Sequence, residues 1–202
     1  MSHNIDKIFY INLDKRTDRR EQIERELKNY GFEGERYVAI PTPEAGIIGC
    51  GYSHLNVLKL ARERGYKNVL ILEDDFEFVA SKEEVEKSFQ QFFDASIQYD
   101  VLMISYIIQK SDDVSEYPFI RKILDGQTAS GYLVNQNYYD VLINLYEWAI
   151  PLLEHTGEHW LYSNDLVWKR LQPNGNWFYF TDRLGVQRES YSDNKMCVTG
   201  GR

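Results

Sequence analysis

The 202-residue chain predicts a single α/β domain built on a mostly parallel sheet. Short apolar runs alternate with stretches of helical period, the pattern of strands and helices laid down in turn. No internal repeat, low-complexity segment or linker divides the chain. A third observation concerns chemistry: the most apolar run, NVLILE at 68–73, leads straight into Asp74 and Asp75. In an open α/β sheet, ligands gather outside the carboxyl ends of the strands.

The elements follow in order. IFYINL (8–13) reads as a buried first strand that ends in polar Asn12. A helix follows, with Thr17 as N-cap, Ile23, Leu27 and Tyr30 on one face, and Gly31 as its stop. ERYVAI (35–40) is a second strand, closed by Pro41 and Pro43. GIIGCG (46–51) reads as a glycine-punctuated loop, with a helix capped by Ser53 after it and ended by Gly65. After the strand at 68–73, Ser81 and Glu84 have capping-box spacing ahead of the stripe Val85, Phe89 and Phe92. DVLMISY (100–106) and ASGYLVN (129–135) are further strands, and the polar stretch 109–118 between them reads as a mobile surface loop. A helix through Tyr138, Val141, Leu142 and Leu145 is followed by another at about 163–171, stopped by Pro173. NWFYFT (176–181) is expected to be the last strand, since the tail beyond Gly185 shows no clear period.

Composition narrows the function classes. With 23 basic and 31 acidic residues the formal charge is −8, and no block of five basic residues occurs. That argues against a nucleic-acid or anionic-membrane binder, which needs clustered Lys and Arg. No apolar run approaches the roughly 20 residues of a membrane span, and the N-terminus lacks the pattern of a signal peptide. The expectation is a soluble, cytoplasmic protein with Cys50 and Cys197 as free thiols. The 15 Tyr and 4 Trp read first as core and second as the lining of a sugar or nucleotide pocket.

Strand alternation predicts that Glu73 and Asp75 point one way and Asp74 the other. Two carboxylates on one side suit a hard divalent ion, Mn²⁺ or Mg²⁺, with positions left for phosphate oxygens. A hydrated acidic strand end would look the same, and charge pattern alone leaves that open. Phosphoaspartyl chemistry is disfavoured, because Asp75 is followed by Phe76, Glu77 and Phe78 with no small hydroxyl residue nearby. A zinc hydrolase lacks its HExxH, and Gly157 interrupts the i, i+4 pair His155 and His159.

Four segments in this order, IFYINLDKRTDRREQI, GCGYSHLNVLKLA, VLILEDDFEF and ASGYLVN, resemble glycosyltransferase family 25. That group includes lipooligosaccharide and procollagen galactosyltransferases. The resemblance covers most of residues 5–190 and rests on order and spacing. It implies a GT-A fold, a Rossmann-like sheet that binds a UDP-sugar with Mn²⁺ and inverts the anomeric centre. By position, Asn12, Leu13, Arg16 and Arg19 match the first motif, near the uridine and diphosphate. Gly51, Ser53 and His54 match the second; Glu73, Asp74 and Asp75 match the acidic motif; Gly131 and Tyr132 match the later strand.

On that reading Asp75 is the direct metal ligand, with Glu73 or Asp74 on the ribose or a metal-bound water. Arg16 and Arg19 are phosphate partners, with a surface role beside Glu21 and Glu24 as their alternative. The base that takes the acceptor proton is sought among Asp140, Glu158 and Asp165; Asp165, in a first helical turn and in the family's acceptor region, is preferred. The tail has no histidine for a third metal ligand, so Gln187 or Ser190 is the nearest polar substitute. The chain is short for the family. Its acceptor-binding part is therefore expected to be reduced, or completed by a partner module or a second copy. The acceptor would be a hydroxyl of a glycan or of hydroxylysine. A relative that binds nucleotide sugar or glycan without turnover is the rival reading. A nucleotidyltransferase would need a Gly-rich, Lys-containing loop that the N-terminus lacks.

Overall fold

Phe9 and Ile11 face one way from the first strand and Ile8 and Tyr10 the other, and all four are buried. The same alternation holds for Val69 and Ile71 against Leu70 and Leu72, so the sheet is covered on both faces. The computed structural model describes residues 4–42 and 45–188, and the backbone of 190–192 and 197–199. In chain order the first elements are β1 (Lys7–Asn12), α1 (Thr17–Tyr30), β2 (Gly34–Val38), α2 (Gly46–Glu63), β3 (Asn68–Glu73), β4 (Phe76–Phe78) and α3 (Lys82–Asp94). Next come β5 (Val101–Met103), β6 (Ile107–Asp113), β7 (Ile120–Gln127), β8 (Gly131–Asn135) and α4 (Tyr139–Thr156). The last are α5 (His159–Tyr162), α6 (Asn164–Val167), β9 (Trp177–Phe180), β10 (Gly185–Gln187), β11 (Ser190–Ser192) and β12 (Cys197–Thr199).

Among the described residues, eight strands form one sheet in the order β2-β1-β3-β8-β5-β9-β7-β6. β8 and β7 run against the other six, so the sheet is mostly parallel, as expected. Helices α2 and α4 cover one face, through Leu55, Leu58, Leu142 and Tyr146. On the other face lie α1, through Ile23 and Leu27, and α3, through Val85, Phe89 and Phe92. α3 begins at the expected capping box: Ser81 Oγ accepts from Glu84 N, and Glu84 Oε2 accepts from Ser81 N at 2.7 Å.

Several expectations need correction. The stretch 109–118 is strand as far as Asp113: β6 pairs antiparallel with β7 at the sheet edge. Beyond Ile108 its residues are polar and mostly exposed, so no apolar period marks it. The glycine-rich segment 46–51 is the first turn and a half of α2, which begins at Gly46. Ser53 is therefore inside the helix, where its hydroxyl donates to Gly49 O at 2.6 Å and accepts from Ile40 N at 2.9 Å. Thr17 is the first helical residue, and Arg16 holds the cap position. β9 is followed by three more short strands, one of which, β10, pairs with β4. Gly157, in the left-handed region at φ 72°, separates His155 in α4 from His159 in α5, so the two share no helix face.

Candidate functional site

β1, β2 and β3 are parallel neighbours whose registers align Asn12 with Val38 and Ile11 with Glu73. Their carboxyl ends therefore stop along one line, and the chain leaves each through a loop. The loops enclose a cleft of about 250 Å³. One wall is Leu13, Lys15 and Arg16 after β1, with Arg19 from the first turn of α1. The segment Ala39–Thr42 and the start of α2, with Gly46 and Cys50, form the second wall. Glu73, Asp74 and Asp75 make the floor, with Gln187 beside them. Gly49 lets α2 approach so closely: an added Cβ would collide with the Ile40 carbonyl oxygen and lie 2.7 Å from Thr42 Oγ1.

The acids divide differently from strand alternation. β3 ends at Glu73, and the chain turns through Asp74 and Asp75 before β4. Asp74 and Asp75 consequently share one cation: Arg19 Nη1 donates to Asp74 Oδ1 at 2.9 Å and to Asp75 Oδ2 at 3.1 Å. Glu73 turns instead toward α2, where His54 Nε2 lies 3.1 Å and Cys50 Sγ 3.8 Å from its Oε1.

A buried chain of polar contacts holds the floor. Arg36 Nε donates to Asn12 Oδ1 at 3.0 Å, and Asn12 Nδ2 donates to Asp74 Oδ2 at 2.7 Å. At the far end Gln187 Nε2 donates to Asp75 Oδ2 at 3.2 Å, and Arg188 N donates to the Asp75 carbonyl at 2.7 Å. The pairing of β10 with β4 delivers Gln187 there, opposite Phe76. Burial pushes the Asp75 carboxyl up to about 7, the Glu73 charge adds to this, and Arg19 opposes it. Asp74 is also raised by burial, against the pull of Arg19 and Asn12. Asp75 Oδ1 is buried and accepts no hydrogen bond. An ionised oxygen in that state is costly unless a cation reaches it.

Sequence-derived candidates fall into two groups. Leu13, Arg16, Arg19, Glu73, Asp74, Asp75 and Gln187 line the cleft. Asn12, Ser53, His54, Gly131 and Tyr132 are buried behind it, and Asp165 lies outside its lining. His54 Nδ1 is 2.8 Å from the Tyr132 hydroxyl, which ties the second motif to the fourth across the core. Asp165 Oδ2 accepts from Thr128 N at 3.2 Å and Oδ1 from Ser163 Oγ at 3.4 Å. Burial raises its proton affinity, and the nearby Glu73 charge raises it further. Cys50 and Arg36 were not singled out from sequence. Reading 46–51 as a loop hid the i, i+4 spacing of Cys50 and His54 on one helix. Arg36 belongs to a half-exposed strand whose pattern carries no chemical signal.

Comparison with known proteins bears out the family resemblance carried by the motifs. A curated protein named "Glycosyltransferase 25 family member" from Drosophila melanogaster is 32% identical over 102 residues, 37% of this chain and 17% of that protein. The chain thus spans about a sixth of that relative's length. No family model matches the chain. Among solved structures, A197 from STIV aligns with 97% of this chain and 94% of its own, at TM-score 0.50 and 12% identity. A glycosyltransferase involved in the glycosylation of the major capsid of PBCV-1 aligns with 94% of this chain and 95% of its own, at TM-score 0.50 and 13% identity. At such identities the likeness concerns the fold, a GT-A-type arrangement. Among the described residues no helix is long and apolar enough to cross a membrane.

Proposed function

We propose that the cleft binds a UDP-sugar together with Mn²⁺ or Mg²⁺, and that the chain transfers the hexose, galactose or glucose, to a hydroxyl of a glycan or of hydroxylysine with inversion. The observation that carries this reading is the floor of the cleft. Asp75 there presents a buried, unpartnered carboxylate oxygen at the carboxyl ends of three parallel strands. Hard oxygen donors fit a hard divalent ion, and Asp75 would hold it, with the Gln187 amide beside it and Glu73 across the floor. When bound, such an ion stabilises the negative charge that grows on a departing diphosphate.

The chain's own groups do the rest. Lys15, Arg16 and Arg19 add positive charge along one wall, which suits diphosphate oxygens and suits Arg in particular, with its planar multi-donor head. Arg19 also keeps Asp74 and Asp75 in place, so the floor is set before a ligand arrives. Apolar Ile11, Leu13, Ala39 and Pro41 supply dry surface beside these charges for a base and a ribose. Asp165 is the base in this reading. Its carboxylate takes the proton of the acceptor hydroxyl, and its raised proton affinity favours that transfer.

Release of UDP from a panel of UDP-sugars tests the proposal, in Mn²⁺, in EDTA and in Asp75→Asn. Turnover in Mn²⁺ that disappears in the other two conditions is expected. A second reading, binding of a nucleotide sugar or glycan without turnover, is favoured by one observation: Asp165 does not line the cleft. It would be preferred if several UDP-sugars bind with Mn²⁺ yet none is hydrolysed or transferred. Absence of any UDP-sugar binding would defeat both.

A further inference from the structure

Cys50 and His54 stand one turn apart on α2 and face the same carboxylate, Glu73 of β3. One ligand atom from each, the Cys50 sulfur, a His54 ring nitrogen and a Glu73 oxygen, lies within 4.8 Å of the other two. We propose that Cys50, His54 and Glu73 form a binding site for a thiophilic transition-metal ion, Zn²⁺ by preference, distinct in chemistry from the hard-ion site at Asp75. The proposal concerns metal binding alone and does not require that the cleft transfer sugar.

The donor set argues for the ion. Zinc sites take Cys, His and carboxylate ligands at roughly 2.0–2.3 Å, which sets ligand atoms about 3.3–3.8 Å apart in a tetrahedron. His54 Nε2 and Cys50 Sγ are already 3.1 and 3.8 Å from Glu73 Oε1, so little contraction is needed. Thiolate, carboxylate and neutral imidazole together carry two negative charges, which cancel those of the ion. A thiolate also selects Zn²⁺ over Mn²⁺ and Mg²⁺. Cys50 and Glu73 both line the cleft, so the fourth position opens onto it, as in sites that keep one place for water or substrate.

The surroundings fit too. A metal-bound imidazole usually donates its other N–H to a fixed acceptor. His54 is fully buried, with Nδ1 2.8 Å from the Tyr132 hydroxyl. The protons balance as follows. Cys50 releases its thiol proton to solvent on binding the ion. The His54 proton sits on Nδ1, leaving Nε2 free, and is donated to Tyr132 oxygen. Tyr132 keeps its own hydrogen and turns it toward Tyr146. The Tyr146 hydroxyl lies buried beside Tyr132 and is placed to accept that hydrogen. Asn164 Nδ2, 3.8 Å from Cys50 Sγ, is placed to donate to the thiolate.

Cobalt reports the site directly. The reduced full chain, freed of metal and without nucleotide, is titrated with Co²⁺ and then with Zn²⁺ against a chromophoric chelator. One equivalent of Co²⁺ should give a near-ultraviolet thiolate charge-transfer band that Zn²⁺ removes and a large excess of Mg²⁺ does not. Cys50→Ser should abolish the band and weaken Zn²⁺ binding by at least about a hundredfold. Glu73→Gln should weaken Zn²⁺ binding with the band still visible at high Co²⁺, and Cys197→Ser should leave both unchanged. Circular dichroism of each variant checks the fold. No band in the wild-type chain at saturating Co²⁺, or a band that survives Cys50→Ser, would overturn the proposal.

Discussion

Asp75→Asn should stabilise the metal-free protein, and the gain should grow with pH. The Asp75 carboxyl moves from an ordinary 3.8 to about 7 on folding. A folded-state value raised in this way means that folding resists ionisation. The penalty is absent below the unfolded value, accumulates between roughly pH 4 and 7, and is constant above. With those two values it is about 1.5 kcal/mol at pH 5 and about 4 kcal/mol at pH 8. Asparagine keeps the shape and cannot ionise. Its stability relative to wild type should therefore rise by about 2 to 3 kcal/mol between pH 5 and pH 8, roughly 5–10 °C in midpoint for a domain of this size. Urea unfolding in EDTA at the two pH values measures this. Saturating Mn²⁺ at pH 8 should restore stability to wild type and not to Asp75→Asn, because a bound cation offsets the buried charge. A pH-dependent difference below about 1 kcal/mol would refute the view that Asp75 is buried at the edge of ionisation.

Arg19→Met removes the cation shared by Asp74 and Asp75 and should cost about 3–5 kcal/mol at pH 8, less at pH 5, by urea unfolding. Gly49→Ala pushes α2 against Ile40 and Thr42; a loss of about 1–3 kcal/mol should come with weaker UDP binding, since that segment lines the cleft. Ser81→Ala removes one half of the α3 capping box and should cost about 1 kcal/mol with no effect on UDP binding. Asp165→Asn should abolish transfer and leave UDP affinity nearly unchanged; retained transfer would remove Asp165 from the role of base.

Local signals in the chain marked the features that are locally determined. The α3 capping box needs only Ser81 and Glu84, three residues apart, and it forms as its spacing predicts. The acids after the apolar β3 run indicated where the cleft would open, because strand ends and their loops are set by neighbouring residues. Contacts set by tertiary structure were invisible. β4 and β10 are three residues each and pair across more than a hundred positions, so no local pattern announces that Gln187 meets Asp75. β6 is an edge strand held by its hydrogen bonds to β7, and its polar sequence reads as loop. Three glycines near the start of α2 resemble loop punctuation, yet Gly49 serves a close helix-to-loop approach. The division of the acids, Glu73 to His54 and the two aspartates to Arg19, follows from a turn that alternation could not foresee.

On the proposed function, a buried carboxylate, an arginine and a divalent ion on the floor of the cleft together receive a diphosphate. Calorimetric titration of UDP into the metal-free chain, with Mn²⁺ or with EDTA, in wild type and in Asp75→Asn, tests that claim most directly. Binding that requires Mn²⁺ and falls at least about tenfold in both EDTA and the variant, a loss of about 1.4 kcal/mol or more, is the predicted result. UDP that binds equally well in EDTA and in Asp75→Asn, or does not bind under any of these conditions, would contradict it.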